Sequence, residues 1–335
     1  MTDDGAPGDP ITPDTTTLDS VLGSSATEAA TRHGDSSGVR WRAFIRRAYG
    51  VALVAAAATV LVLEWDQVGD LVEGARPLPL LGALALGLLS LGQSSLFWSR
   101  ALASLGARPP LGEVLEATVA AIPGRYLPGS VWYAAGRVGH LRRRGTPAVA
   151  LTAVAAIETL LSFVVAVSVG ATLLIIAGGD GNGVGVAALV GLAVLLAVVA
   201  SPWTVNPALR WVSARRNIES PPSLRWATYL ELCGHLVAFW AASAAAFLSY
   251  LAAFPAVDAP GALRTAGTFL VAWAAGFVAV FAPQGAGVFE TTLAGLLTGA
   301  PVAALALVIA GYRALTAVRD AIALLTLAAT SARAR

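Results

Sequence analysis

The chain has 335 residues, of which 56% are hydrophobic and 13% charged, with a mean hydropathy of +0.71 and a net charge of +2. Soluble globular domains carry about 25% charged residues, so this composition excludes a water-soluble fold and predicts an all-α polytopic membrane protein. The single cysteine, Cys233, excludes an intrachain disulfide framework, and His33, His140 and His235 are too scattered to suggest a metal cluster. No metal, cofactor or nucleic-acid partner is expected.

Residues 1–39 hold seven acids (Asp3, Asp4, Asp9, Asp14, Asp19, Glu28, Asp35) against Arg32 alone, in a stretch rich in Thr, Ser, Gly and Pro. Such a segment cannot bury enough apolar surface to fold, so a disordered acidic tail is expected there, with a transmembrane domain over residues 40–335. Acids where a positive n-region should stand argue against a signal peptide.

Six segments are apolar and long enough to span a bilayer: Ala48–Glu64, Pro77–Trp98, Pro147–Ala177, Val184–Pro202, Ala227–Phe254 and Val302–Ala328. Flanking arginines predict their orientation. Arg40, Arg42, Arg46 and Arg47 precede the first span and place the N-terminus in the cytoplasm. Arg100 and Arg108, Arg142 to Arg144, Arg210 to Arg225, and Arg333 with Arg335 mark later cytoplasmic segments. The intervening loops "GGDGNG" (178–183) and "PAVDAPG" (255–261) carry no base and fit outside. A multi-pass protein of the cell membrane with both termini cytoplasmic follows. Residues 203–226 mix Trp203, Trp211 and Trp226 with four arginines and are expected along the cytoplasmic interface.

Two segments do not fit this alternation. Residues 111–138 begin and end on the cytoplasmic side, and 28 residues cannot make two full spans. Two half-helices broken at Pro123, Gly124, Pro128 and Gly129 can turn back near mid-bilayer. Residues 263–300 pose the same puzzle from outside, with a break at Pro283, Gly285 and Gly287. Two re-entrant hairpins from opposite faces suggest an inverted repeat, a layout that gathers interrupted helices around a midplane substrate site. The repeat is inferred from topology, because no residue-level similarity links the halves.

The few ionisable residues within apolar sequence are the candidate site. Arg125 lies at the first break, Arg137 follows it, and Glu158 lies within the third of the six spans. Glu290 follows the second break, and Arg313, Arg319 and Asp320 lie in the last span. An arginine at mid-helix costs about 2.5–3.5 kcal/mol to insert, so such residues should face the interior, paired or touching a polar ligand. Arg313, Thr316 and Asp320 share one helical face. A purely structural pairing, for example of Glu158 or Glu290 with Arg313, competes with the binding role. Arg142 to Arg144 are explained as a topology anchor, and Glu231 with His235 as a local pair one helical turn apart.

The stretch "GRYLPGSVWYAAGRVGHLRRRG", followed by an apolar run containing "IETLLSF", resembles the lysylphosphatidylglycerol synthase transmembrane-region family, also described as flippase-like integral membrane proteins. Arg125, Tyr126, Leu127, Pro128, Gly129, Trp132, Gly136 and Arg137 occupy the first motif, and Glu158 matches its downstream glutamate. The family's second motif reads "PQGAGVFE" here: Pro283, Gly285, Gly287 and Glu290 fit, and Gln284 replaces a glycine. The resemblance implies a transporter or flippase that moves or presents a polar lipid. The substrate would be an anionic lipid or a polyprenyl-phosphate-linked glycan. Arg125, Arg137 and Arg313 would receive its phosphate, and Glu158, Glu290 and Asp320 would hold those arginines in the empty site. Tyr126 is counted with the substrate-binding residues. The aminoacyl-transfer domain of some relatives has no room after the last span, so no enzymatic activity is expected. Two other readings are an intramembrane enzyme on lipid-linked substrates and a non-transporting scaffold subunit for a glycosyltransferase partner.

Overall fold

A computed structural model describes residues 74–127, 131–178, 191, 194–195, 197–215, 223–255, 259–279, 285, 287–297 and 302–333, with side chains of the last segment from 308 to 332. The acidic tail, the span expected over Ala48–Glu64, most of that over Val184–Pro202, and Pro128, Gly129 and Pro283 lie outside the described residues. Every regular element among the described residues is helical.

Four helices are long and apolar enough to cross a membrane. They are α1 (Pro77–Ser104), α4 (Ala148–Ile176), α6 (Trp226–Leu251) and α9 (Val302–Arg333, apolar over Val308–Ala332). A hydrocarbon core of about 30 Å needs about 20 helical residues, and these helices run to 28, 29, 26 and 32. Each coincides with an expected span, with ends shifted by a few residues. Prolines punctuate them as proline chemistry dictates: Pro77 starts α1, and Pro147 precedes the first residue of α4.

Helices α1 and α6 make the most extensive helix–helix contact and run antiparallel. Ser249 Oγ donates to the Pro79 carbonyl (2.8 Å) near one end, and Arg100 pairs with Glu231 (3.4 Å) near the other. His235 lies 4.0 Å from Glu231, as the local-pair reading expects, and 3.4 Å from Gln93 of α1. Helix α9 runs in the same direction as α1, with Arg319 against Gly87 and Ala323 clustered with Leu91. Aromatic rings join the inner faces of α6, α7 (Ala262–Val278) and α9: Phe247 stacks on Phe269 at 4.9 Å and meets Tyr312 edge-on at 4.9 Å.

The remaining helices are short. Helix α2 (Leu111–Ala120), a 3-10 turn (Ile122–Tyr126) and α3 (Val131–Arg143) fold back on themselves. Arg144 reaches Glu116 at 2.7 Å and Glu113 at 3.9 Å at the open end. At the closed end, a Cβ on Gly124 would lie 2.8 Å from the Trp132 backbone, so only glycine fits that turn. The first break is thus an antiparallel hairpin with Arg125 at its apex. Helix α7 (Ala262–Val278) likewise meets α8 (Val288–Leu296) where Gly276 approaches Gly285 and Phe289. At 10, 13, 17 and 9 residues, α2, α3, α7 and α8 rise about 15, 20, 25 and 13 Å.

Helix α5 (Pro202–Arg215) carries Trp203, Trp211, Arg210 and Arg215 exposed, with the Arg215 guanidinium 3.9 Å from the Trp211 ring centroid. Trp203 also packs edge-on against Trp226 at 5.0 Å. This is the composition of a helix lying in a headgroup layer.

Candidate functional site

The two hairpin apices come together on one cavity of about 290 Å³. Arg125 and Tyr133 line it from the first hairpin, and Gly276, Gly285 and Phe289 from the second. Long helices close the rest: Ser94 from α1, Glu158 and Ser162 from α4, Trp240 and Ser243 from α6, and Arg313, Thr316 and Arg319 from α9. Glu158 stands ten residues into α4, about 15 Å from that helix's start and about a third of the way along it.

Behind one wall lies a polar network. Arg137 is fully buried and donates from Nη1 to both Glu158 oxygens (2.9 and 3.0 Å). Its Nη2 donates to Ser94 Oγ (2.6 Å) and to the Tyr133 hydroxyl (2.5 Å). Glu158 also accepts from Trp98 Nε1 (2.7 Å) and Ser94 Oγ (3.0 Å). A buried charge is tolerable only when paired and hydrogen-bonded, and this pair meets the condition. Tyr133 connects the network to the cavity: its ring lies 4.3 Å from the Arg137 guanidinium and 4.1 Å from that of Arg125.

A second cluster centres on Asp320, which is 3% exposed. Arg319 donates to Asp320 Oδ1 from Nε (2.9 Å) and Nη2 (2.6 Å), and the Tyr126 hydroxyl donates to Oδ2 (3.1 Å). Arg125 Nη1 stands 3.9 Å from the same carboxylate. One aspartate on α9 therefore holds the apex of the first hairpin at two points. The second hairpin is held from α9 as well. Arg313 Nε donates to Glu290 Oε1 (2.8 Å), while Glu290 Oε2 accepts from the Gly287 N–H (2.6 Å), closing the first turn of α8. The Arg313 guanidinium also sits 4.6 Å from the Phe289 ring centroid.

The expected site residues divide by position. Arg125, Glu158, Arg313 and Gly285 line the cavity. Arg137, Glu290, Asp320 and Tyr126 stand one contact behind it, each bonded to a lining residue or to a neighbour of one. Arg313 takes Glu290 as its carboxylate and Arg137 takes Glu158, which resolves the alternative partners open in the sequence. Pro123 and Gly124 form the first apex, and Gly287 caps α8. Among the described residues, the four guanidiniums of Arg125, Arg137, Arg313 and Arg319 face the three carboxylates of Glu158, Glu290 and Asp320, an excess of one positive charge.

The sequence places Arg319 among the charges in apolar sequence but assigns it no binding role, and it does not single out Tyr133, Ser94 or Trp98. Arg319 is adjacent to Asp320, and neighbours on a helix do not ordinarily face each other. Only the seat of its side chain across Gly87 turns it into the cavity. Tyr133 had a legible signal, one helical turn before Arg137. Ser94 and Trp98 had none, because their roles depend on contacts with Glu158, some sixty residues away.

No curated protein matches the chain. The family model described as lysylphosphatidylglycerol synthase TM region matches residues 47–323, a range that contains both hairpins and every charge in the cavity. This chain is therefore a membrane protein that belongs to the lysylphosphatidylglycerol synthase TM-region family.

Proposed function

We propose that the protein moves or presents an anionic lipid, or a polyprenyl-phosphate-linked glycan, across the bilayer, with the lipid phosphate received by Arg125, Arg313 and Arg319. The observation that carries this reading is the meeting of two broken-helix apices on one arginine-lined cavity. Guanidinium forks match phosphate oxygens with two hydrogen bonds each, and the excess positive charge favours an anion. Asp320 and Glu290 hold these arginines in the empty site and would release them as phosphate binds.

In this reading α2 with α3, and α7 with α8, are re-entrant hairpins from opposite faces. Their helices are too short to cross singly, with α7 coming nearest. Because α1 and α6 are antiparallel, Arg100 and the α5 arginines gather at one end of the bundle. The base of the first hairpin, with Arg142 to Arg144, gathers there too, and that end is assigned to the cytoplasm. The protein acts as a carrier and not as an enzyme.

Alanine at Arg125 or Arg313 is expected to lower translocation of a fluorescent anionic lipid in proteoliposomes at least about tenfold. That corresponds to the loss of one charge-assisted hydrogen bond. Thermal unfolding in detergent reports whether each variant remains folded. Wild-type translocation by both folded variants would remove the phosphate from this cavity.

A further inference from the structure

The lining has a second chemistry that a bare phosphate leaves unused. The guanidiniums come from α9 and the first hairpin. From α4, α6 and α7 come indole rings and hydroxyls: Trp240, Trp273, Thr159, Ser162 and Ser243. Three lining hydroxyls are oriented. Ser243 Oγ donates to the Phe239 carbonyl (2.8 Å), Thr159 Oγ1 to the Ala155 carbonyl (2.7 Å), and Thr316 Oγ1 to the Arg313 carbonyl (2.8 Å). Each proton is thus committed to the helix backbone, and what each oxygen has left is lone pairs. A ligand meeting these groups must bring its own donors.

The indoles are committed in the same way. Trp240 Nε1 donates to the Ser162 carbonyl (3.0 Å), so its polar atom is satisfied. Trp273 packs edge-on against Trp240 at 4.2 Å and stacks on Phe277 at 5.2 Å with an interplanar angle of 20°. These contacts fix a rigid apolar platform, suited to the C–H face of a flat, hydroxylated ring.

Aromatic rings also attract cations, so an ammonium-bearing headgroup is the competing ligand. The charges decide against it. Among the described residues lining the cavity, Glu158 is the one acid, beside Arg125, Arg313 and Arg319. Both Glu158 oxygens already accept from Arg137, and Trp98 and Ser94 supply two further bonds. Glu290, just behind the lining, is engaged on both oxygens by Arg313 and the Gly287 N–H. A cationic group would enter a site of like charge with its counter-ions already taken.

We infer that the cavity is a two-part site for a glycosyl-phosphate headgroup: phosphate on the arginines, and a neutral sugar over Trp273 with its hydroxyls donating to Thr159 and Ser243. This rests on the proposed phosphate-binding reading and narrows its substrate to the glycosylated lipid, excluding cationic ones. The volume of about 290 Å³ is at the lower limit of ligand pockets, about 300–1,000 Å³, which suits a headgroup and leaves the tail outside.

The test is equilibrium binding of the full chain in nanodiscs to four probes: polyprenyl phosphate, the same lipid bearing one hexose, phosphatidylglycerol, and its lysyl ester. The hexosyl lipid is expected to bind about tenfold tighter than bare polyprenyl phosphate, the equivalent of one or two neutral hydrogen bonds. Lysyl-phosphatidylglycerol is expected to bind more weakly than phosphatidylglycerol. Thr159→Val and Ser243→Ala, which preserve shape and backbone, should bring the hexosyl-to-bare ratio toward one. Trp273→Leu should do the same, and its folding is checked by thermal unfolding. Equal binding of the hexosyl and bare lipids by the wild type, or tighter binding of the lysyl ester, overturns the inference. If Arg125→Ala still weakens both polyprenyl lipids in that case, the phosphate reading survives it. Binding of every probe that is indifferent to Arg125→Ala overturns both.

Discussion

Replacing Arg137 by alanine will unfold or severely destabilise the protein, by about 3–5 kcal/mol, because it leaves the Glu158 carboxylate without its charge partner in a largely buried site. Four hydrogen bonds from one guanidinium are lost together: two to Glu158, one to Ser94 and one to Tyr133. In detergent this should lower Tm by about 10 °C. Arg137→Lys will recover only part of the loss, since one ammonium cannot reproduce the planar fork. The double variant Arg137→Leu with Glu158→Leu should be less damaging than the two single changes added together, because it removes both charges. A strictly additive double variant would mean that the pair is not what holds α3 to α4. Translocation measured in the same variants separates this locking role from phosphate binding. Arg137 does not line the cavity, so its effect should follow folded protein rather than activity per folded molecule.

The second large effect is expected at Gly285. Its φ of 66° lies in the left-handed region, and a Cβ there would fall 2.5 Å from the Cα and carbonyl oxygen of Gly276. Gly285→Ala therefore combines a backbone cost of about 1–2 kcal/mol with crowding of about 1–3 kcal/mol. It also forces apart the two sides of the second apex, where the cavity is lined. Gly287 provides the control, with a φ of 88° but open space where its Cβ would go. Gly287→Ala should cost only the backbone part. Paired Tm measurements decide the matter: equal losses at the two glycines would show that the close approach of α7 to the break contributes nothing.

Much of the fold was legible because the bilayer imposes long-range order on local composition. A span of about 20 apolar residues and an arginine at its flank need no tertiary information, since lipid and water supply the contrast. Residues 111–138 were readable as a hairpin for the same reason. Proline and glycine interrupt them, and 28 residues are too few for two full spans. That Arg125, Glu158 and Arg313 turn inward to line the cavity was legible because a charge in apolar sequence must be satisfied somewhere in the interior.

What the residues alone could not decide was which charge meets which. Glu158 was an equal candidate partner for Arg313 until the hairpin fold brought α3 against α4 and set Arg137 beside it. Arg319 entered the cavity through packing across Gly87, a contact with no local signature. Composition and periodicity thus determined the membrane class, the four described spans, the two breaks and the cast of buried charges. Pairing, burial and the division into lining and supporting residues came only with tertiary structure. Ion pairs and hydrogen bonds act over a few ångströms, and proximity at that scale is a property of packed helices rather than of any one of them.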